Sequence, residues 1–144
     1  MQKQNTDEKR LKLLYLLLRI SFGVIYFWFG ILKVFPGMSP AEDLAMETIH
    51  VLTFGLIPDQ VSIILLATWE VLLGLLFFSN LFQRFAVRFA LLHMACTFLP
   101  LVFFPALSFS HVPYAFTLVG QYIVKNLVFI VALLMMMQNR AKPA

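Results

Sequence analysis

The sequence predicts an all-α, polytopic membrane protein: a bundle of four transmembrane helices with a short extra helix in the first outer loop. Three observations carry that expectation. Apolar residue types make up 61% of the 144-residue chain, against roughly 45–50% in soluble domains. Charged residues are 12%, about half the soluble norm of ~25%, and mean hydropathy is +0.87. The apolar residues fall into four runs, at about 11–35, 61–79, 85–105 and 117–138, each close to the ~20 residues that cross a bilayer core. A helix satisfies its backbone polar groups within one spanning segment, so each run reads as a helix. A soluble fold of this size has too little interior to hide so much apolar surface, and the same composition excludes disorder. The length suits a single membrane domain over residues 1–144.

The first run follows a basic tail. It is too long for a cleaved signal peptide, carries Arg19 within it, and is not followed by a small-x-small cleavage site. Phe35-Pro36-Gly37 stops it. In the first loop, Ser39-Pro40-Ala41-Glu42 is a capping box with Pro at the first helical position. It predicts a helix over 40–52. Leu44, Met46, Ile49, Val51 and Leu52 are apolar there, and Glu42, Asp43, Glu47 and His50 are polar, so the helix should lie on the outer face or lid the bundle. Leu56-Ile57-Pro58-Asp59 closes the loop, with Asp59 placed to cap the second span. The third loop, 106–116, joins the last two runs.

Charge sets the orientation. Lys3, Lys9, Arg10 and Lys12 precede the first span, Arg84 and Arg88 lie between the second and third, and Arg140 and Lys142 follow the fourth. The first loop, 36–60, has Glu42, Asp43, Glu47 and Asp59 but no Lys or Arg, and the third loop has no charged residue. The positive-inside rule then predicts an inner (plasma) membrane protein with both termini cytoplasmic.

Several chemistries drop out. Cys96 is the sole cysteine, so vicinal-thiol, iron–sulfur and thiolate zinc sites are excluded. His50, His93 and His111 fall in different segments and only His93 lies in an apolar run, which disfavours a haem held by two histidines. Asp43, Glu47 and His50 read as a solvated helix face, and no metal is expected. The basic residues form no patch interleaved with aromatics, so nucleic acid is not a partner.

Ionisable side chains in a bilayer core cost roughly 2.5–3.5 kcal/mol each on insertion scales, and Arg19, Lys33, Glu70, His93 and Lys125 bear that cost. Counted from the ends of their own runs, Arg19, Glu70 and His93 share a layer about 12 Å deep from the cytoplasmic side, with Lys125 above it. Arg19, Gly23, Tyr26, Gly30 and Lys33 form one helical stripe. Glu70 and Gly74 lie one turn apart with Trp69 adjacent. His93, Cys96, Thr97 and Pro100 share a face, as do Thr117, Gln121 and Lys125, with Asn126 next. The stripes are expected to face one bundle interior, with Arg19 paired to Glu70. The plainer readings are that Lys33 snorkels to the headgroups, that Arg19 and Glu70 only hold the bundle together, that His93 is a hydrogen-bonded packing residue, and that Cys96 is a small buried hydrophobe.

Leu18-Arg19-Ile20-Ser21-Phe22-Gly23 and Phe29-Gly30-Ile31-Leu32-Lys33, then Trp69-Glu70-Val71-Leu72-Leu73-Gly74, then Gly120-Gln121-Tyr122-Ile123-Val124-Lys125-Asn126-Leu127, together resemble the helix signatures of the DoxX family. The likeness runs from about 13 to 135. It implies a small four-helix inner-membrane protein. Some members are the membrane subunit of a thiosulfate:quinone oxidoreductase, and others are linked to thiol and oxidative-stress complexes. The long, capped first loop departs from the family pattern.

The leading expectation is a redox-associated subunit that binds a quinone or a small anionic solute within the bundle. Its ligand-binding candidates are Arg19, Tyr26, Lys33, Trp69, Glu70, His93, Gln121, Lys125 and Asn126. Arg19, Lys33 and Lys125 outnumber Glu70 in the membrane layer, which favours a carbonyl or an anion over a cation. No flavin, nicotinamide or haem motif is present, so the chain has no self-contained catalytic motif and no covalently bound cofactor is expected. Redox chemistry then calls for a membrane or soluble redox partner or a diffusible quinone. Membrane lipids are partners in any case. The alternatives are a small transporter, which with four spans would suggest a homo-oligomer, or a non-catalytic membrane partner or assembly factor.

Overall fold

The computed structural model describes residues 2–40 and 42–139. The elements run α1 (Gln2–Leu32), α2 (Glu42–Leu52), α3 (Asp59–Ser79), α4 (Gln83–Cys96), α5 (Pro100–Phe103), α6 (Pro105–Ser108), a small hairpin of β1 (Phe109–His111) and β2 (Ala115–Phe116), and α7 (Leu118–Asn139). Four segments are long and apolar enough to cross a membrane: Asn5–Leu32, Asp59–Ser79, Gln83–Phe103 and Leu118–Gln138. The all-α, four-span architecture is as the composition predicts.

Antiparallel α1 and α3 make the closest packing, and glycines set its register. A Cβ on Gly74 would stand 2.6 Å from the Phe27 backbone nitrogen, and one on Gly30 2.8 Å from that of Val71. Gly23 faces the Phe78 ring. Small residues at such crossings let helix backbones approach and gain dispersion contacts where lipid offers no hydrophobic drive. The core continues through Phe22, Tyr26, Leu73, Phe77, Ala86, Val87, Ala90, Leu133 and Met136. Phe22 stacks on Phe77 at 5.4 Å and meets Phe129 edge-on at 5.7 Å. Large apolar side chains such as Leu13, Val24, Trp28, Leu65 and Val128 point outward, as a lipid-facing surface requires.

Three details differ from the sequence reading. First, α1 is helical from Gln2, well before residue 11, because the polar tail keeps helical backbone beyond the apolar run. Second, the third apolar run is not one continuous helix. α4 ends at Cys96, where the Thr97 hydroxyl donates to the Met94 carbonyl (2.6 Å) and the Leu99 N–H to the Cys96 carbonyl (3.1 Å). Pro100 has no N–H to give Cys96 and its ring crowds that turn. Short α5 then completes the span. Third, the loop caps differ. The Glu42 carboxylate accepts from the Gly37 N–H (2.9 Å) instead of that of Ser39, across a turn in which Gly37 takes φ +74°. Asp59 does not cap α3: Pro58 holds the cap position without a side-chain bond, and Asp59 pairs with His50 Nδ1 at 3.2 Å. That contact ties the end of α2 to the start of α3. Of the expected loop helix 40–52, Ala41 lies outside the described residues. α7 is capped by Thr117, whose Oγ1 accepts from the Gly120 N–H (3.2 Å) and donates to the Leu107 carbonyl (2.6 Å).

Candidate functional site

The glycine-set register brings Lys33, just past the end of α1, level with Glu70 in the middle of α3. Lys33 Nζ donates to Glu70 Oε2 at 2.7 Å, and the two side chains are 9% and 6% exposed. Lys33 also reaches the Phe29 carbonyl at 3.4 Å. The other Glu70 oxygen, Oε1, lies 3.4 Å from His93 Nε2 on α4. His93 Nδ1 lies 3.3 Å from the Tyr26 hydroxyl, which is also 3.3 Å from the Ala90 carbonyl. A continuous polar chain, Lys33–Glu70–His93–Tyr26, therefore joins α1, α3 and α4 inside an otherwise apolar bundle. Trp69 flanks it, half-buried, with its ring edge-on to Phe89 at 5.1 Å.

Donor accounting gives this chain two arrangements. In one, Tyr26 O–H donates to His93 Nδ1, and Nε2–H donates to the Glu70 carboxylate. In the other, Tyr26 donates to the Ala90 carbonyl and accepts from His93 Nδ1–H. The Nε2···Oε1 contact then holds a further proton. The two differ by one proton, and in each every group has a partner. Such a chain can take up or release a proton without leaving a buried polar atom unsatisfied.

The expected Arg19–Glu70 pair does not form. Arg19 donates from one guanidinium nitrogen to the carbonyls of Phe77 (2.7 Å) and Phe78 (3.0 Å), so it satisfies the C-terminal end of α3. Those orphan carbonyls carry the negative end of the helix dipole. The depth count failed because each span was measured from its own apolar boundary. α1 extends farther than α3 at the end bearing the chain termini. Glu70 is level with Gly30, eleven residues and about 16 Å along α1 from Arg19.

Of the other candidates, the Asn126 amide donates to Thr97 Oγ1 at 2.9 Å, bridging α7 to the break after α4. Gln121 is exposed. Lys125 is exposed too, its Nζ 5.0 Å from the Tyr122 ring centroid, where it makes a cation–π contact outside the bundle interior. The structure thus gathers Tyr26, Lys33, Glu70 and His93, with Trp69 beside them, and places Arg19, Gln121, Lys125 and Asn126 elsewhere. The Lys33–Glu70 pairing was missed from sequence, although its signal was present: aligning Gly30 with the Glu70–Gly74 turn at a small-residue crossing gives the observed register.

A family model described as DoxX matches residues 14–104, a stretch that contains the whole polar chain. No curated protein and no solved structure gives a match.

Proposed function

The chain belongs to the DoxX family, and on that premise we propose that it is a redox-associated membrane subunit whose Lys33–Glu70–His93–Tyr26 chain binds a diffusible quinone.

The observation that carries this reading is the pair of hydrogen-bonding arrangements differing by one proton, buried where an apolar bundle would otherwise place hydrocarbon side chains. A quinone, when bound, supplies two-electron chemistry and exchanges protons as it does so. This chain's own part is to donate a hydrogen bond to a carbonyl oxygen and to hold or move the proton between His93 and Glu70. Of the four chain members His93 is the most accessible, with a side chain 14% exposed. Lys33 is already paired with Glu70, so the cluster carries no surplus cation. A neutral carbonyl ligand therefore suits it better than a free anion. Electrons come from a membrane or soluble redox partner.

Trp69 offers the test. The chain has two tryptophans, so Trp28→Phe leaves Trp69 as the sole indole reporter. Titrating decylubiquinone into nanodiscs bearing that variant is expected to quench its fluorescence saturably. Adding His93→Phe is expected to weaken the apparent affinity about tenfold, the worth of one ligand hydrogen bond. Linear quenching that is identical in the two proteins overturns the proposal.

For orientation, the reading is an inner (plasma) membrane protein with both termini in the cytoplasm. It is supported by Lys3, Lys9, Arg10, Lys12, Arg84 and Arg88 lying at one end of the spans and by the acidic first loop at the other. Reporter fusions after Arg140 should report the cytoplasm and fusions after Asp59 the opposite side. The same side for both, or the reverse assignment, refutes it.

A further inference from the structure

A second polar feature lies at the other end of the bundle, away from the proposed quinone site. A cavity of about 210 Å³ opens between α1, α4 and α7. Gln83, Arg84 and Arg88 line its polar side, and Val87, Met136 and Met137 its apolar side. Gln83 is 3% exposed, yet neither its Nε2 nor its Oε1 has a hydrogen-bond partner. An unpaired buried amide is costly, and this one lines a cavity. Arg84 and Arg88 are exposed, one turn apart on α4, and neither pairs with a described carboxylate. Like charges at that spacing repel. Gln83 is also the first residue of α4, whose cap residue Phe82 makes no side-chain bond, so the positive end of the helix dipole faces the same place. Depth completes the picture: Gln83 begins one candidate span, and Met136 and Met137 lie at the close of another. Tyr15, which also lines the cavity, is an aromatic type favoured at that level.

We propose that this cavity seats a phosphate group, carried by an anionic lipid of the leaflet on the side of the chain termini. The two arginines and the α4 N-terminus neutralise the phosphate. The Gln83 amide donates to a phosphate oxygen, while its carbonyl accepts from a headgroup hydroxyl. An acyl chain lies along Val87, Met136 and Met137. A glycerol headgroup supplies the hydroxyl that a choline headgroup lacks.

Native mass spectrometry of the full chain in mild detergent tests this, with dioleoylphosphatidylglycerol or dioleoylphosphatidylcholine added at equal concentration. One phosphatidylglycerol should be retained in preference to phosphatidylcholine by about tenfold or more. The double variant Arg84→Gln, Arg88→Gln changes exposed positions only and should erase that preference. Gln83→Leu should also reduce it, with no loss of thermal stability because the unpaired amide is gone. If excess inorganic phosphate displaces the lipid, the phosphate seat stands and a free anion can fill it. If phosphate fails to displace it, the lipid is the source. Equal retention of the two lipids, unchanged in the arginine variant and indifferent to phosphate, overturns the proposal.

Discussion

Replacing Glu70 with Gln is expected to destabilise the folded bundle by about 3–5 kcal/mol, because it leaves the Lys33 ammonium buried without its counter-charge. The pair is short, at 2.7 Å, and both side chains are more than nine-tenths shielded. Neither partner can turn to water at low cost. Lys33→Met should cost a similar amount for the converse reason, stranding the carboxylate beside His93. The double variant Lys33→Met, Glu70→Gln removes both charges and should recover most of the loss, because the single-variant penalty is mainly that of one uncompensated ion. Reversible unfolding in mixed micelles measures the cycle. Strictly additive losses would show that the two side chains do not interact in the folded protein.

Arg19 is the control for that cycle. It bonds the Phe77 and Phe78 carbonyls, about 16 Å along α1 from the level of Glu70. Residues that far apart with no shared partner are energetically independent, so Arg19→Gln and Glu70→Gln should add.

The contrast between Arg19 and Lys33 marks what the sequence could and could not specify. Four spans were legible because hydropathy and length act on each segment alone. The break before Pro100 was not foreseen, because the apolar run continues through it and hydropathy alone does not register a missing backbone N–H. Which cation meets Glu70 depends on how two helices slide past each other. That offset is set by Gly30 and Gly74 meeting the backbones of α3 and α1, a relation between segments that no single-segment count contains. Tyr26 and His93 lay on the right stripes, but their bond needed α4 beside α1. Lys125 and Gln121 shared a stripe with Asn126 nearby. Rotation of α7 about its axis sends Asn126 to Thr97 and leaves Lys125 exposed.

Gly74→Ala is expected to cost about 2–3 kcal/mol, the range for forcing an extra carbon into a packed interior. The new Cβ would stand 2.6 Å from the Phe27 backbone nitrogen, 2.7 Å from its Cβ and 2.9 Å from its Cα. Backbone cannot rotate aside as a side chain can, so α1 and α3 must part. Gly23→Ala is the matched comparison. There the carbon meets the Phe78 ring, also at 2.7 Å, but that ring can turn, and alanine's better helix propensity offsets part of the cost. Gly23→Ala should therefore lose about 1 kcal/mol or less. Parting the helices at Gly74 also stretches the Lys33–Glu70 contact, one turn away on α3. The Trp69 reporter should then lose saturable quinone quenching in Gly74→Ala and keep it in Gly23→Ala. Equal stability losses in the two variants, with quenching intact in both, would mean that the glycine crossing does not set the register on which the polar chain depends.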